Sequence, residues 1–144
     1  MPGNNDPIYS RIGDVTNNGT TGFATGMVTA TGDYTGVSAN HVLAFTADAT
    51  NGGFVQRLRF KATGTVVASV VRVYLNNGAT NATATNNVFY GEMSLPAVTA
   101  TNTAATPDPD YPMNIAIPAG FRIYCGLGTT VAASWVTTAV AGKY

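Results

Sequence analysis

The run FVQRLRFKATGTVVASVVRVYLNNG, Phe54 to Gly78, constrains the fold most, because apolar residues recur at a strand period on both sides of Thr63-Gly64. A two-residue turn at Thr63-Gly64 predicts an antiparallel hairpin. One face then carries Phe54, Leu58, Phe60, Val67, Val71 and Val73, and the other carries Arg57, Arg59, Lys61 and Arg72 among Val55, Val66 and Val70. The first face is the expected core. The second mixes four of the seven cations with branched hydrocarbon, a surface better covered by protein than by bulk water.

The rest of the chain repeats this logic. Glu92 is the only glutamate and Gln56 the only glutamine, while Thr and Val are abundant, so strand formers are kept and helix formers removed. Asn17-Asn18-Gly19, Asn51-Gly52-Gly53, Asn76-Asn77-Gly78 and Pro118-Ala119-Gly120 read as turns. Between them lie strand patterns at Ile8 to Val15, Met27 to Ala30, Val37 to Ala47, Val88 to Leu95, Tyr111 to Ile117, Phe121 to Leu127 and Ala133 to Ala141, with a weaker one at Val98 to Ala105. About eight to ten short strands at turn spacings of roughly 8 to 12 residues predict a single-domain antiparallel β-sandwich of jelly-roll type. Met1 to Pro7 is rich in Pro, Gly and Asn and reads as an arm; residues 1–10 are taken as extended arm and 11–144 as the sandwich domain. Ala79 to Asn87 has no apolar period and is expected to be a surface loop about ten residues long, the kind that is often functional or mobile.

A chain of 144 residues with 45% hydrophobic content can bury a core without staples. Charged residues make up only 10% and sum to zero, against about 25% in ordinary domains. That balance disfavours nucleic acid and polybasic membrane attachment, both of which need a basic excess. It suits dense packing of many copies, since long-range repulsion is absent. No stretch approaches the ~20 apolar residues of a membrane span, and the opening residues lack a signal-peptide pattern, so synthesis in the cytosol is expected. Cys125 is the sole cysteine; no internal disulfide is possible, and a buried thiol is expected.

Chemistry-bearing residues are few. Ser38, His41 and Asp48 contain the atoms of a nucleophilic triad, but no nucleophile-elbow pattern surrounds a serine, and a strand histidine bonded to backbone is the expectation. Asp108 and Asp110 could join a loop carbonyl on Ca²⁺, against a solvated turn over Tyr111. Gly126-Leu127-Gly128-Thr129-Thr130 lacks the lysine and helix of a phosphate loop and reads as a turn. Thr-x-Thr at Thr29/Thr31, Thr83/Thr85 and Thr99/Thr101 has no fixed period and reads as one face of a strand. Tyr34, Tyr90 and Tyr111 could stack on a sugar or sit in the core or its rim. The basic row Arg57, Arg59, Lys61 and Arg72 has two readings: pairing within the chain to Asp33, Asp48 or Glu92, or contact with an acidic partner or sister subunit.

Several strings carry a resemblance: PIYSRIGDV (Pro7 to Val15), RLRFKATGT (Arg57 to Thr65), RVYLNNG (Arg72 to Gly78), DYPMNIAIPAGFRI (Asp110 to Ile123) and LGTTVAASWVTTAVAGKY (Leu127 to Tyr144). They resemble small virion structural proteins of tailed bacteriophages, over about half the chain. The resemblance implies a β-sandwich that decorates or cements the capsid surface, as a homotrimer at lattice threefold positions in contact with the major capsid protein. It implies no catalytic residue, cofactor or metal. Pro7, Ile8 and Tyr9 in the arm, with Arg57, Arg59, Lys61 and Arg72, are then the candidate subunit or capsid contacts. A tail-fibre, baseplate or lectin-like module touching host glycans through Ala79 to Asn87 and Thr106 to Asp110 is the alternative.

Overall fold

The computed structural model describes the backbone of residues 12–17 and the whole of residues 26–144. Among the described residues eight strands are formed: β1 (Ile12–Asn17), β2 (Val42–Thr46), β3 (Gly53–Ala62), β4 (Ser69–Asn76), β5 (Asn87–Leu95), β6 (Asp110–Ile117), β7 (Arg122–Leu127) and β8 (Trp135–Lys143). They make two four-stranded sheets, ordered β1-β8-β3-β6 (sheet A) and β2-β7-β4-β5 (sheet B). Every neighbouring pair is antiparallel. The order follows from nested pairing: the first strand meets the last, the second the seventh, the third the sixth and the fourth the fifth. Rolling that long hairpin sends alternate pairs to opposite sheets. The result is a jelly-roll β-sandwich.

The central hairpin expected about Thr63-Gly64 does not form. β3 lies in sheet A between β8 and β6, and β4 lies in sheet B between β7 and β5. A two-residue hairpin needs positive φ in its loop, and Gly64 is not among the glycines with positive φ. The connection is instead held open by other segments. Thr63 N–H donates to Ser134 O at 2.9 Å, and Val66 exchanges two backbone bonds of 2.9 Å with Val98. β3 and β4 therefore face each other across the sandwich.

Burial records the same change. Leu58, Phe60, Val71 and Val73 are fully buried, as their alternation requires, but Val67 is 56% exposed while Val55 and Val66 are buried. On β3 the cause is a bulge: the register with β8 runs Val55↔Ala141 and then Arg57↔Val140, leaving Gln56 without a partner. One unpaired residue lets Val55 and Leu58 both point inward. Trp135, Phe45, Phe60, Leu58, Val55, Leu95, Ile123, Leu127 and Met27 complete one core cluster. Cys125 lies in it, fully buried, and burial pushes its thiol up strongly.

Two of the expected strands shrink to bridges. Met27↔Trp135 and Ala30↔Leu127 are all that remains of Met27 to Ala30, and Val66↔Val98 of Val98 to Ala105. Of the expected strand Ile8 to Val15, the described part begins at Ile12. The arm assigned to residues 1–10 lies outside the described residues. The Pro118-Ala119-Gly120 turn forms as expected, with Gly120 at φ 73° and Phe121 N–H donating to Pro118 O.

Leu58 is core in the expected hairpin and in the observed fold alike, whereas Val67 is core only in the hairpin. Leu58→Ala is expected to cost about 2–5 kcal/mol in denaturant unfolding, as large-to-small changes at fully buried leucines do. Val67→Thr, a core substitution if the hairpin existed, should stay within about 0.5 kcal/mol of the parent.

Candidate functional site

The four-cation row is divided by the fold. Arg57, Arg59 and Lys61 stand on the outer face of sheet A, and Arg72 stands on β4 of sheet B. Splitting follows directly from the lost hairpin. Pro7, Ile8 and Tyr9 lie outside the described residues.

On sheet A the three cations meet two aspartates from the stretch leading into β6. Arg59 and Asp110 are direct cross-strand partners. Arg59 Nη2 lies 3.4 Å from Asp108 Oδ2 and its Nε 3.5 Å from Asp110 Oδ1. Arg57 Nε is 3.7 Å from Asp110 Oδ2, and Lys61 Nζ is 2.8 Å from Asp108 Oδ1. Lys61 also donates to Thr106 O at 2.8 Å, and Phe60 N–H donates to Pro109 O at 2.9 Å. The 106–110 segment is thus clamped onto β3 by charge and backbone together.

All four carboxylate oxygens of Asp108 and Asp110 face a cation, so a Ca²⁺ ion would have to displace arginine and lysine to bind there. Among the described residues no three His, Cys, Asp or Glu side chains gather at metal-binding geometry. Intrachain pairing is realised, but with Asp108 and Asp110 as partners instead of Asp33 or Asp48. Those two close their own turns: Asp33 Oδ1 accepts from Thr35 N–H, and Asp48 Oδ1 from Thr50 and Asn51 N–H. The anticipated Arg72–Glu92 pair does form, at 3.4 Å. The lysine hydrogen bond holds the Asp108 carboxyl below its usual range. Beside the ladder is a shallow cleft of about 300 Å³ lined by Arg59, Phe60, Lys61, Asp108 and Thr138.

Sheet B carries a second cluster on its outer face. His41, just ahead of β2, is buried. Its Nδ1 lies 2.9 Å from Gly36 O and donates to it, and Nε2 is buried with no hydrogen-bond partner among the described residues. The ring lies tilted by 39° against Tyr74, centroids 4.7 Å apart, over Gly126, where any side chain would collide with the imidazole. Tyr74 Oη donates to Asp33 O at 2.7 Å, and burial pushes its hydroxyl up to about 12. Tyr34 lies edge to face with Phe89, centroids 5.1 Å apart, and the Arg72 guanidinium sits over the Tyr34 ring at 4.5 Å. Segment 31–41 is therefore a strap laid across β4, β5 and β7.

The remaining sequence candidates are separated or already engaged. Neither Ser38 nor Asp48 bonds the His41 imidazole; Ser38 Oγ accepts from Asn40 N–H. In the glycine-rich turn after β7, Gly128 N–H donates to Val70 O and Thr129 N–H to Ser69 Oγ, so these amides cannot cradle an anion. The loop Ala79 to Asn87 is fastened by its asparagines: Asn87 Nδ2 donates to Asn81 O, Asn86 Nδ2 to Thr80 O and Asn81 Nδ2 to Ser38 O. Tyr34 and Tyr90 remain exposed, while Tyr111 is half-buried against Tyr90.

No family model, curated protein or solved structure matches the chain.

What sequence reasoning missed is Phe89 and the exposure of its neighbours. The signal was present in Val88-Phe89-Tyr90, three apolar residues in a row where a half-buried strand should alternate.

His41 makes the site sensitive to acid. Burial is the main cause holding its imidazole below the ordinary value; Arg72 acts in the same direction, and Gly36 O and Asp33 act against it. The unfolded chain protonates His41 from about pH 6.5 downward and the folded chain only at lower pH, so its contribution to stability is full above that range and falls with acid. Asp108 titrates separately: its contribution is full above the ordinary carboxyl range and is lost as pH drops through its lowered value. Urea midpoints should therefore decline between about pH 7 and 5 in the parent and stay level there in His41→Gln, both falling again in stronger acid.

Proposed function

We propose that this chain is a non-enzymatic virion structural protein of a tailed bacteriophage, a decoration or cement subunit bound to the capsid surface. The observation that carries this reading is the outer face of sheet A. There the paired ladder runs beside half-buried Phe54, Val136 and Val140. Such a face is mixed, and its charged groups are spent on one another instead of standing open to a ligand, which suits lattice contact better than a small substrate.

Charge supports the same reading. Three cations face two carboxylates in the ladder, which leaves one surplus positive charge on a chain whose formal sum is zero. An acidic patch on the major capsid protein is its natural complement. The arm, with Pro7, Ile8 and Tyr9, would add a second tether, and sister copies would complete the lattice contact.

The test is copy number and location in purified particles, by quantitative mass spectrometry and electron microscopy. Decoration requires a fixed ratio to the major capsid protein; a handful of copies confined to the tail would overturn it. Arg59→Gln removes the surplus positive charge and leaves Asp108 paired with Lys61 and Asp110 with Arg57, so melting temperature should hold while particle occupancy drops. Deleting Met1 to Asp6 should lower occupancy with the fold intact.

A further inference from the structure

The 31–41 strap covers the outer face of sheet B and is bonded largely to itself. Thr35 N–H donates to Asp33 Oδ1, Val37 N–H to Thr35 Oγ1, Asn40 N–H to Ser38 Oγ and the His41 imidazole to Gly36 O. Gly32 and Gly36 supply its left-handed turns, at φ 71° and 77°. Thr31 fixes one end, its amide and hydroxyl both donating to Leu127 O. Beyond that point Tyr74 Oη donates to Asp33 O and Asn81 Nδ2 to Ser38 O. Residues 32–41 contribute nothing to the core cluster, so the strap can leave while the sandwich stays closed.

His41 holds the other end. Its ring lies against Tyr74 and over Gly126, and Gly126 is the cross-strand partner of Arg72. Directly paired residues share a face, so imidazole and guanidinium are neighbours on the outer side of sheet B. Each has a buried nitrogen, His41 Nε2 and Arg72 Nη1, without a hydrogen-bond partner among the described residues. Around the ring stand Arg72 and Tyr74 from β4, Gly126 and Tyr124 from β7, Asp33 from the strap, and Thr31. β2 brings no ionisable group. Asp33 already accepts from Thr35 at both carboxylate oxygens, and Glu92 of β5 is engaged by Arg72. A proton added at Nε2 therefore meets a guanidinium and no carboxylate of its own.

We propose that the strap is an acid-released cover: protonation of His41 lifts residues 32–41 off sheet B and bares Tyr74 while both sheets stay intact. In the lifted strap the imidazolium keeps its Gly36 acceptor and gains water. In the closed strap it is buried beside Arg72. The lifted form takes up the proton from about pH 6.5 downward and the closed form only at lower pH, so acid favours lifting. The face that sheet B offers a partner thus changes with pH without a change of fold. This inference is independent of the capsid reading, since it concerns the purified chain.

Hydroxyl-radical footprinting of the full chain tests it. Oxidation at Tyr74, fully buried beneath the strap, is normalised to exposed Tyr90, and fully buried Trp135 reports any opening of the core. Between about pH 7.5 and about pH 5, Tyr74 oxidation should rise roughly 10-fold while Trp135 stays protected. His41→Gln cannot take up the proton and should hold the acid-to-neutral ratio near one. Arg72→Gln removes the neighbouring cation and should give a smaller rise than the parent. Each ratio is internal to one protein, so a general loosening of the strap by substitution cancels. Four outcomes would each overturn the proposal: Tyr74 equally reactive at both pH values, Trp135 reacting in step with it, the full rise retained in His41→Gln, or a rise in Arg72→Gln as large as in the parent.

Discussion

The structure depends on the burial of two inward rows in a common core: Val55, Leu58 and Phe60 from β3, and Val71 and Val73 from β4. Each row is continuous enough to need a partner sheet, and covering both at once requires β3 and β4 to lie in opposite layers. Once they do, nested pairing places β8 and β6 beside β3 and places β7 and β5 beside β4. Trp135, fully buried at the start of β8, fills the space beside Ala62 and Met27.

Charge is scarce, and the described residues use it locally. The ladder on sheet A holds the 106–110 segment to β3, and Arg72 joins Glu92 while lying over Tyr34. Such pairs are partly exposed, so each adds little to stability. Their effect is to fix loops and to present neutral or nearly neutral faces. Asparagines do the same for the 76–87 connection, where side-chain amides replace the backbone ladder that the loop lacks. A loop that composition alone makes look mobile is thereby pinned.

Much of the fold was legible in the chain. Strands β4 to β8 stand close to where alternation and turn residues put them, because period-two patterns and Gly or Pro turns are local consequences of covalent geometry. Leu58, Phe60, Val71 and Val73 were readable as core for the same reason. The turn at Thr63-Gly64 was not: the string admits a tight hairpin, and Ser134 and Val98, each more than thirty residues away in sequence, hold it open. The site shows the same division. That the basic row has an intrachain reading was visible, but its partners Asp108 and Asp110 were not, since they arrive through the β3–β6 register.

By itself, the sequence determined that this protein is all β, helix-poor, electrically balanced and divided into short strands, because these properties follow from residue type and spacing. Tertiary structure decided which strands became neighbours, that Arg72 left the other three cations, and that Val88, Phe89 and Tyr90 on β5 are all exposed. Those outcomes rest on long-range pairing and on single-residue bulges at Gln56 and Tyr90. A bulge moves every following side chain to the other face, and at Gln56 nothing in the local string fixes where it falls.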